Sequence, residues 1–222
     1  MTRPPARADE DPASPRHEVV WPGRPGVLQT VDVPRLVQAA EDARVTIELP
    51  RVSGETLFEG TAVAIVHGPA DAGLDSGILA ALGVGPERSF EQDPGFALRV
   101  LVDIALRGLS PALNDPTTAV QALDAIEGLL RVLAHRRMGP SPICGADGEL
   151  RVVLVLPTWS RQVGLALDEI IEMAPTSVQV QRRLERLLED VAAAAAPERR
   201  APLETRLAQV RKRVNAGPRI EG

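Results

Sequence analysis

Residues 91–126 carry the pattern that most constrains the fold: an apolar helix, a break, and a second helix with a well-specified start. The first helix is expected over residues 96–109. It is built almost entirely of Ala, Leu, Val and Ile, apart from Arg99, Asp103 and Arg107. These three residues recur every four positions and therefore form one narrow charged stripe. A helix that is apolar around most of its circumference is expected to lie buried at the centre of the fold.

The charged stripe predicts partners, because an unpaired charge in a buried helix is costly. Asp103 lies one turn from both arginines, and an Arg–Asp–Arg ladder leaves one positive charge in excess. We expect that charge to be neutralised in a core network, by a neighbouring subunit or by an anionic ligand. Four carboxylates of the chain are candidate partners for this charge: Glu91, Asp93, Asp115 and Asp124.

The break after the stripe is specified on both sides. Ser110 precedes a proline and ends the first helix, because a residue before proline disfavours the helical conformation. Asn114 or Asp115 then caps the second helix, whose first position is Pro116. Helix capping alone, without a ligand, is enough to explain the residues found at 114–117.

Two functional alternatives remain for the same segment. The start of the second helix, with the hydroxyls of Thr117 and Thr118, could bind a negative group beside Arg99 or Arg107. Alternatively, Asn114 and Asp115 could present oxygens to a cation, although no metal site is predicted from so short an acidic pair. The candidate ligand-binding residues are therefore Arg99, Asp103, Arg107, Asn114, Asp115, Thr117 and Thr118.

The remaining patterns predict an α+β fold that is mostly α. We expect a disordered tail over residues 1–20, a small β-rich module with one helix over 21–68, and a helical domain over 69–222. The helical domain should be a bundle of amphipathic helices with one extra strand, RVVLVLP. Its glycine-rich ALGVGPE stretch is expected to stop a helix, and MGPSPICGADGEL is expected to be a loop.

Composition limits the classes of partner. The net charge is −5 and aromatic residues make up 2% of the chain, so no nucleic-acid surface is expected. A single cysteine, Cys144, excludes an intramolecular disulfide. His17, His67 and His135 have no Cys or His at zinc-like spacing. No stretch reaches the roughly 18 apolar residues that a transmembrane helix needs, so the chain by itself is expected to be cytoplasmic.

No cofactor is expected. The strand and glycine pattern of the β-rich module is similar to that of lipoyl and biotinyl carrier domains, which carry their cofactor on a lysine. The only lysine of the chain, Lys212, lies in a distant helix, which excludes a carrier of this kind. A phosphate-binding loop, a nucleophile elbow and a dinucleotide fingerprint are also missing.

The segment over residues 91–126 resembles the signature of a large family of predicted bacterial membrane proteins, domain of unknown function 2254. The residues that match its pattern are 87–89, 92–93, 101–105, 107, 110–111, 114–116 and 118–119, and Gly108 replaces the usual alanine. The resemblance covers about residues 22–215. Members usually begin with several transmembrane helices, so the resemblance implies that this chain corresponds to the soluble portion that follows them.

Two functions are compatible with these observations. The first is a non-enzymatic assembly or regulatory domain, cytoplasmic or membrane-associated, that forms a homo-oligomer and could contact a membrane protein. The second is a hydrolase or phosphate-ligand-binding protein. In that case Arg99 and Arg107 would bind the anion, and Asp103 or Asp115 would act as a base or metal ligand.

Overall fold

The structure is a computed structural model that describes residues 15–174 and 177–215. The fold is α+β and mostly helical, which confirms the predicted class. The chain divides into two compact units: Met1–Glu87 with Pro140–Val155, and Arg88–Gly139 with Leu156–Gly222. We call them the sheet unit and the helical unit. Most of the predicted tail, residues 1–14, lies outside the described residues.

The described residues of the sheet unit form two sheets and two helices. Its strands are Arg16–Val20 (β1), Gly26–Val31 (β2), Thr46–Leu49 (β3), Thr56–Leu57 (β4), Ala62–His67 (β5), Leu82–Gly85 (β6), Pro140–Cys144 (β7) and Leu150–Val155 (β8). Its helices are Val33–Ala43 (α1) and Ala72–Leu79 (α2). The five-stranded sheet has the order β1-β5-β3-β8-β7, in which only β3 and β8 pair in parallel, and the other sheet has the order β4-β2-β6.

Three strands of the sheet unit differ from the expectations of the sequence. β1 forms in the expected tail, β6 in the glycines that were expected to stop a helix, and β7 in an expected loop. These strands have weak patterns of their own and form by pairing with β5, β2 and β8. Because β8 pairs with β3, the β7–β8 hairpin belongs to the sheet unit, although the sequence placed it in the helical domain.

In the described residues of the helical unit, a short 3-10 helix, Pro197–Arg199, precedes the last of five α-helices, which surround one aliphatic core. They are Pro94–Leu109 (α3), Pro116–Leu133 (α4), Trp159–Met173 (α5), Val178–Ala194 (α6) and Ala201–Asn215 (α7). α3 packs against α4 and α5, α4 also packs against α6, and α6 packs against α7. The fully buried residues at the centre include Leu98, Leu123, Ile126, Leu130, Leu167, Ile170, Leu184 and Leu187.

α3 and α4 approach most closely at Gly108. A Cβ atom on this glycine would lie 2.8 Å from the carbonyl oxygen of Asp115 and 3.3 Å from the backbone nitrogen of Ala119. The Gly108 carbonyl also accepts a 2.7 Å hydrogen bond from the Asp115 backbone N–H. The missing side chain therefore lets the end of α3 contact the start of α4 directly.

We expect Gly108→Ala to lower the free energy of unfolding by about 1–3 kcal/mol, because the new methyl group meets fixed backbone. The matched control is Gly128→Ala in α4, where nothing lies within 4 Å of the added methyl group. There the gain in helix propensity should raise stability by about 0.5–1 kcal/mol. Chemical denaturation measures both, and equal effects of the two substitutions would contradict the close approach.

Candidate functional site

The α3 helix is exposed along one face, so the expectation of a helix buried on all sides is wrong. Leu98, Val102 and Ala105 are fully buried against the core, whereas Asp103 and Arg107 are exposed. The physical reason is that α4 and α5 cover only part of the circumference of α3. The charged stripe therefore lies at the surface of the helical unit, and burial does not by itself demand partners for it.

Arg99 joins two carboxylates from two helices. Its Nε donates to Asp103 Oδ1 at 2.8 Å, and its Nη2 donates to Glu169 Oε2 of α5 at 3.3 Å. Further bonds join Arg99 to both carboxylates. Hydrogen bonds from the guanidinium to Glu169 and then to Asp103 raise the pKa of Arg99 above its usual value. The arginine thus ties α3 to α5.

The sequence did not predict Glu169 as a partner of the charged stripe. Of the four carboxylates that it did predict, three have other contacts. Asp93 accepts from Arg88 Nη2 at 2.6 Å, and Asp124 accepts from Arg183 Nε at 2.5 Å. Asp115 caps α4. Sequence spacing carries no signal for Glu169, because its contact depends on α5 lying beside α3.

Arg107 is the charge of the stripe that remains in excess. Its side chain is exposed and makes no ion pair or hydrogen bond with residues 15–174 or 177–215. Its carbonyl accepts from the Ser110 hydroxyl at 2.7 Å, which closes the end of α3. The ladder predicted from the sequence is therefore half formed: Asp103 pairs with Arg99 and not with Arg107.

Asp115 is committed to the start of α4. Oδ1 accepts the Thr118 backbone N–H at 3.1 Å, and Oδ2 accepts the Thr118 hydroxyl at 2.5 Å. These bonds, the hydroxyl first and the backbone N–H second, hold the pKa of Asp115 below its usual value. A carboxylate with a lowered pKa is a poor general base, and here both of its oxygens already accept hydrogen bonds. Its geometry is that of a helix cap.

The other candidate residues of the segment shape the turn. Asn114 has φ +46°, in the left-handed region that asparagine tolerates well, and its backbone N–H donates to the Ser110 carbonyl at 2.9 Å. Thr117 is exposed. Four of the seven candidates therefore form two local pairs, Arg99 with Asp103 and Asp115 with Thr118, and the other three belong to neither pair. Among the described residues, no three His, Cys, Asp or Glu side chains cluster as metal ligands would.

The start of α3 holds a contact set that the sequence analysis missed. Asp93 is 6% exposed; its Oδ1 accepts the Phe96 backbone N–H at 2.9 Å, while its Oδ2 accepts from Arg88. The Arg88 guanidinium lies 4.9 Å from the centre of the Phe96 ring, and Phe90 stacks on that ring at 4.6 Å. The sequence does contain a signal for the start of α3, because Asp93-Pro94 repeats the aspartate–proline pattern of Asp115-Pro116 at the start of α4.

A comparison with models of protein families shows which family this chain belongs to. The model of the family described as "Predicted membrane protein (DUF2254)" matches residues 2–190. The chain belongs to the DUF2254 family.

The DUF2254 chain is similar to longer relatives. It is 32% identical over 213 residues to the uncharacterized protein Rv1290c of Mycobacterium tuberculosis and to the uncharacterized protein Mb1321c of Mycobacterium bovis. These alignments cover 92% of this chain and 41% of each relative. No solved structure matches the chain significantly. Across the described part of the chain, no helix is both long and apolar enough to cross a membrane.

We expect the charge of Asp115 to contribute to stability in a pH-dependent way. Because its pKa is lowered in the folded state, the contribution is present above its unfolded value of about 4 and is lost as pH falls through the folded pKa. Asp115→Asn should therefore melt below wild type at pH 7, and the gap should close at strongly acidic pH. Thermal melts across this range measure the gap.

The control for this measurement is Glu91→Gln, which changes an exposed carboxylate that has no hydrogen bond or ion pair with residues 15–174 and 177–215. Its melting temperature should follow wild type at every pH. A gap for Asp115→Asn that stays constant down to the acid limit would contradict the role of the charge at the cap.

Proposed function

We propose that this chain is an assembly module of its family, which self-associates through the outer face of α3 and catalyses no reaction. The observation that carries the proposal is the exposed side of that helix, which includes an arginine, Arg107, with no partner in the described part of the chain. We define the outer face of α3 as Phe96, Val100, Asp103, Ile104 and Arg107.

The outer face of α3 has an apolar stripe. Phe96, Val100 and Ile104 follow each other at four-residue spacing and therefore line one side of the helix. Ile104 is 40% exposed, and Phe90, which stacks on Phe96, is 63% exposed. Phe96 and Val100 are partly buried, so the stripe reaches the surface most fully at Ile104. An apolar stripe that reaches the surface is typical of an interface, whereas apolar residues scattered singly are not.

The charges beside the stripe are complementary to a second copy of themselves. Asp103 and Arg107 lie one turn apart on α3, and both are exposed. If two copies of α3 pair antiparallel about a two-fold axis near Ile104, Arg107 of each copy meets Asp103 of the other. A two-fold interface repeats each contact twice, so one arginine–aspartate pair per chain gives two across the interface.

This pairing gives Arg107 the carboxylate contact that it lacks within the described part of the chain. Arg99 uses Glu169 and Asp103 within the helical unit, whereas Arg107 has no such carboxylate among the described residues. Asp103 is 55% exposed on its side chain and can accept a second arginine. The apolar centre would supply affinity, and the charge pairs would fix the antiparallel register.

For the full-length members of the family, we propose that the module lies on the cytoplasmic side of the membrane and holds two membrane-embedded parts together. The family description supports a membrane-embedded part in the full-length members, and the relatives are long enough to contain one in addition to this module. In that arrangement the partner of the module is a second copy of the same protein.

A charge-swap experiment tests the proposal. Arg107→Asp places two acidic residues on each face, and Asp103→Arg places two basic ones, so each variant alone should dimerise about ten-fold more weakly or worse. Mixed in equal amounts, the two variants should form a heterodimer, because both cross-interface pairs are restored. Sedimentation velocity measures the species present.

A second pair of variants tests the apolar stripe. Ile104→Glu should yield monomers, whereas the matched control Val132→Glu, at a 53% exposed position on α4, should dimerise as wild type does. A wild-type chain that remains monomeric at high concentration, or charge variants that do not associate when mixed, would overturn the proposal. Far-ultraviolet circular dichroism verifies that each variant is folded.

A further inference from the structure

A second surface of the helical unit lies away from the outer face of α3. It is an open groove of about 450 Å³ between the beginnings of α4 and α6. The residues that line the groove are Val120, Val178, Gln179, Arg182, Arg183 and Arg186. Three of these six residues are arginines, and the partners of the arginines decide what the groove can bind.

Arg183 is neutralised within the protein. Its Nε donates to Asp124 Oδ1 at 2.5 Å and its Nη2 donates to Glu127 Oε2 at 2.6 Å, and only 17% of its side chain is exposed. This arginine ties α6 to α4 and forms a fixed wall of the groove. It contributes little net charge to a ligand.

Arg182 and Arg186 supply the net charge of the groove. Both are exposed, and neither has a carboxylate partner within residues 15–174 and 177–215. They lie four residues apart on α6, so their side chains project from the same face and can reach one anionic group together. In the same helix, by contrast, Glu185 and Glu189 both pair with Arg211.

The groove also has an apolar side. Val178 is 61% exposed at the start of α6, and Val120 of α4 lies beside it, partly buried. For a small soluble anion, contact with an exposed valine beside the arginines would add no affinity. A lipid presents a phosphate and an apolar chain side by side, which matches this combination.

We propose that this groove binds the phosphate group of an anionic phospholipid. Arg182 and Arg186 hold the phosphate oxygens through their guanidinium N–H groups, and Val178 lies against the acyl region of the lipid. The site shares no residue with the outer face of α3, so membrane binding and self-association can be tested separately.

Cosedimentation with vesicles tests the proposal. Wild type should bind vesicles of phosphatidylglycerol and phosphatidylcholine, bind pure phosphatidylcholine poorly, and lose the difference at high salt. The double variant Arg182→Gln/Arg186→Gln should bind the anionic vesicles about thirty-fold more weakly, the loss expected for two basic residues at a membrane surface.

The matched control is Arg136→Gln/Arg137→Gln, which removes the same charge at two exposed arginines outside the groove. This variant should bind the anionic vesicles as wild type does. Thermal melting of both double variants distinguishes a specific loss of binding from unfolding of the protein.

A parallel measurement separates a lipid from free phosphate. Inorganic phosphate added without vesicles should leave the melting temperature of wild type unchanged relative to chloride at equal ionic strength. Three outcomes would overturn the proposal: stabilisation by phosphate without vesicle binding, equal losses in the groove and control variants, or no preference for anionic vesicles.

Discussion

The direct contact of α3 with the start of α4 at Gly108 is the constraint on which the helical unit depends. The glycine lets the Asp115 backbone N–H reach the end of α3, and the Asp115 side chain then caps α4 through Thr118. One short segment therefore ends one helix, starts the next and fixes the distance between them.

The same junction decides which side of α3 remains uncovered. α4 and α5 pack on the face of Leu98, Val102 and Ala105, and Arg99 fastens that arrangement to α5 through Glu169. The opposite side carries Ile104 with Asp103 and Arg107, which no described helix covers. The structural role of the segment and its proposed role in assembly are thus two faces of one helix.

The features that the sequence predicted best are those with a local cause. The cap of α4 at Asp115 and the helices of the bundle follow from residues close together in the chain. The Arg99–Glu169 pair could not be predicted, because it depends on which helix lies beside α3. The exposure of Ile104 was missed for a related reason: periodicity reveals apolar faces but not how many neighbours cover them. β7 likewise forms only because β8 is there to pair with it.

Disulfide trapping across the two-fold axis tests the pairing of α3 with a second copy most directly. In a Cys144→Ser background, which removes the exposed native thiol, Ile104→Cys places one cysteine per chain near the proposed axis. A disulfide forms only where two Cα atoms come within about 7 Å. Mild oxidation should therefore yield a covalent dimer, whereas Val132→Cys in the same background should form no covalent dimer. Equal cross-linking at both positions, or none at position 104, would contradict the pairing.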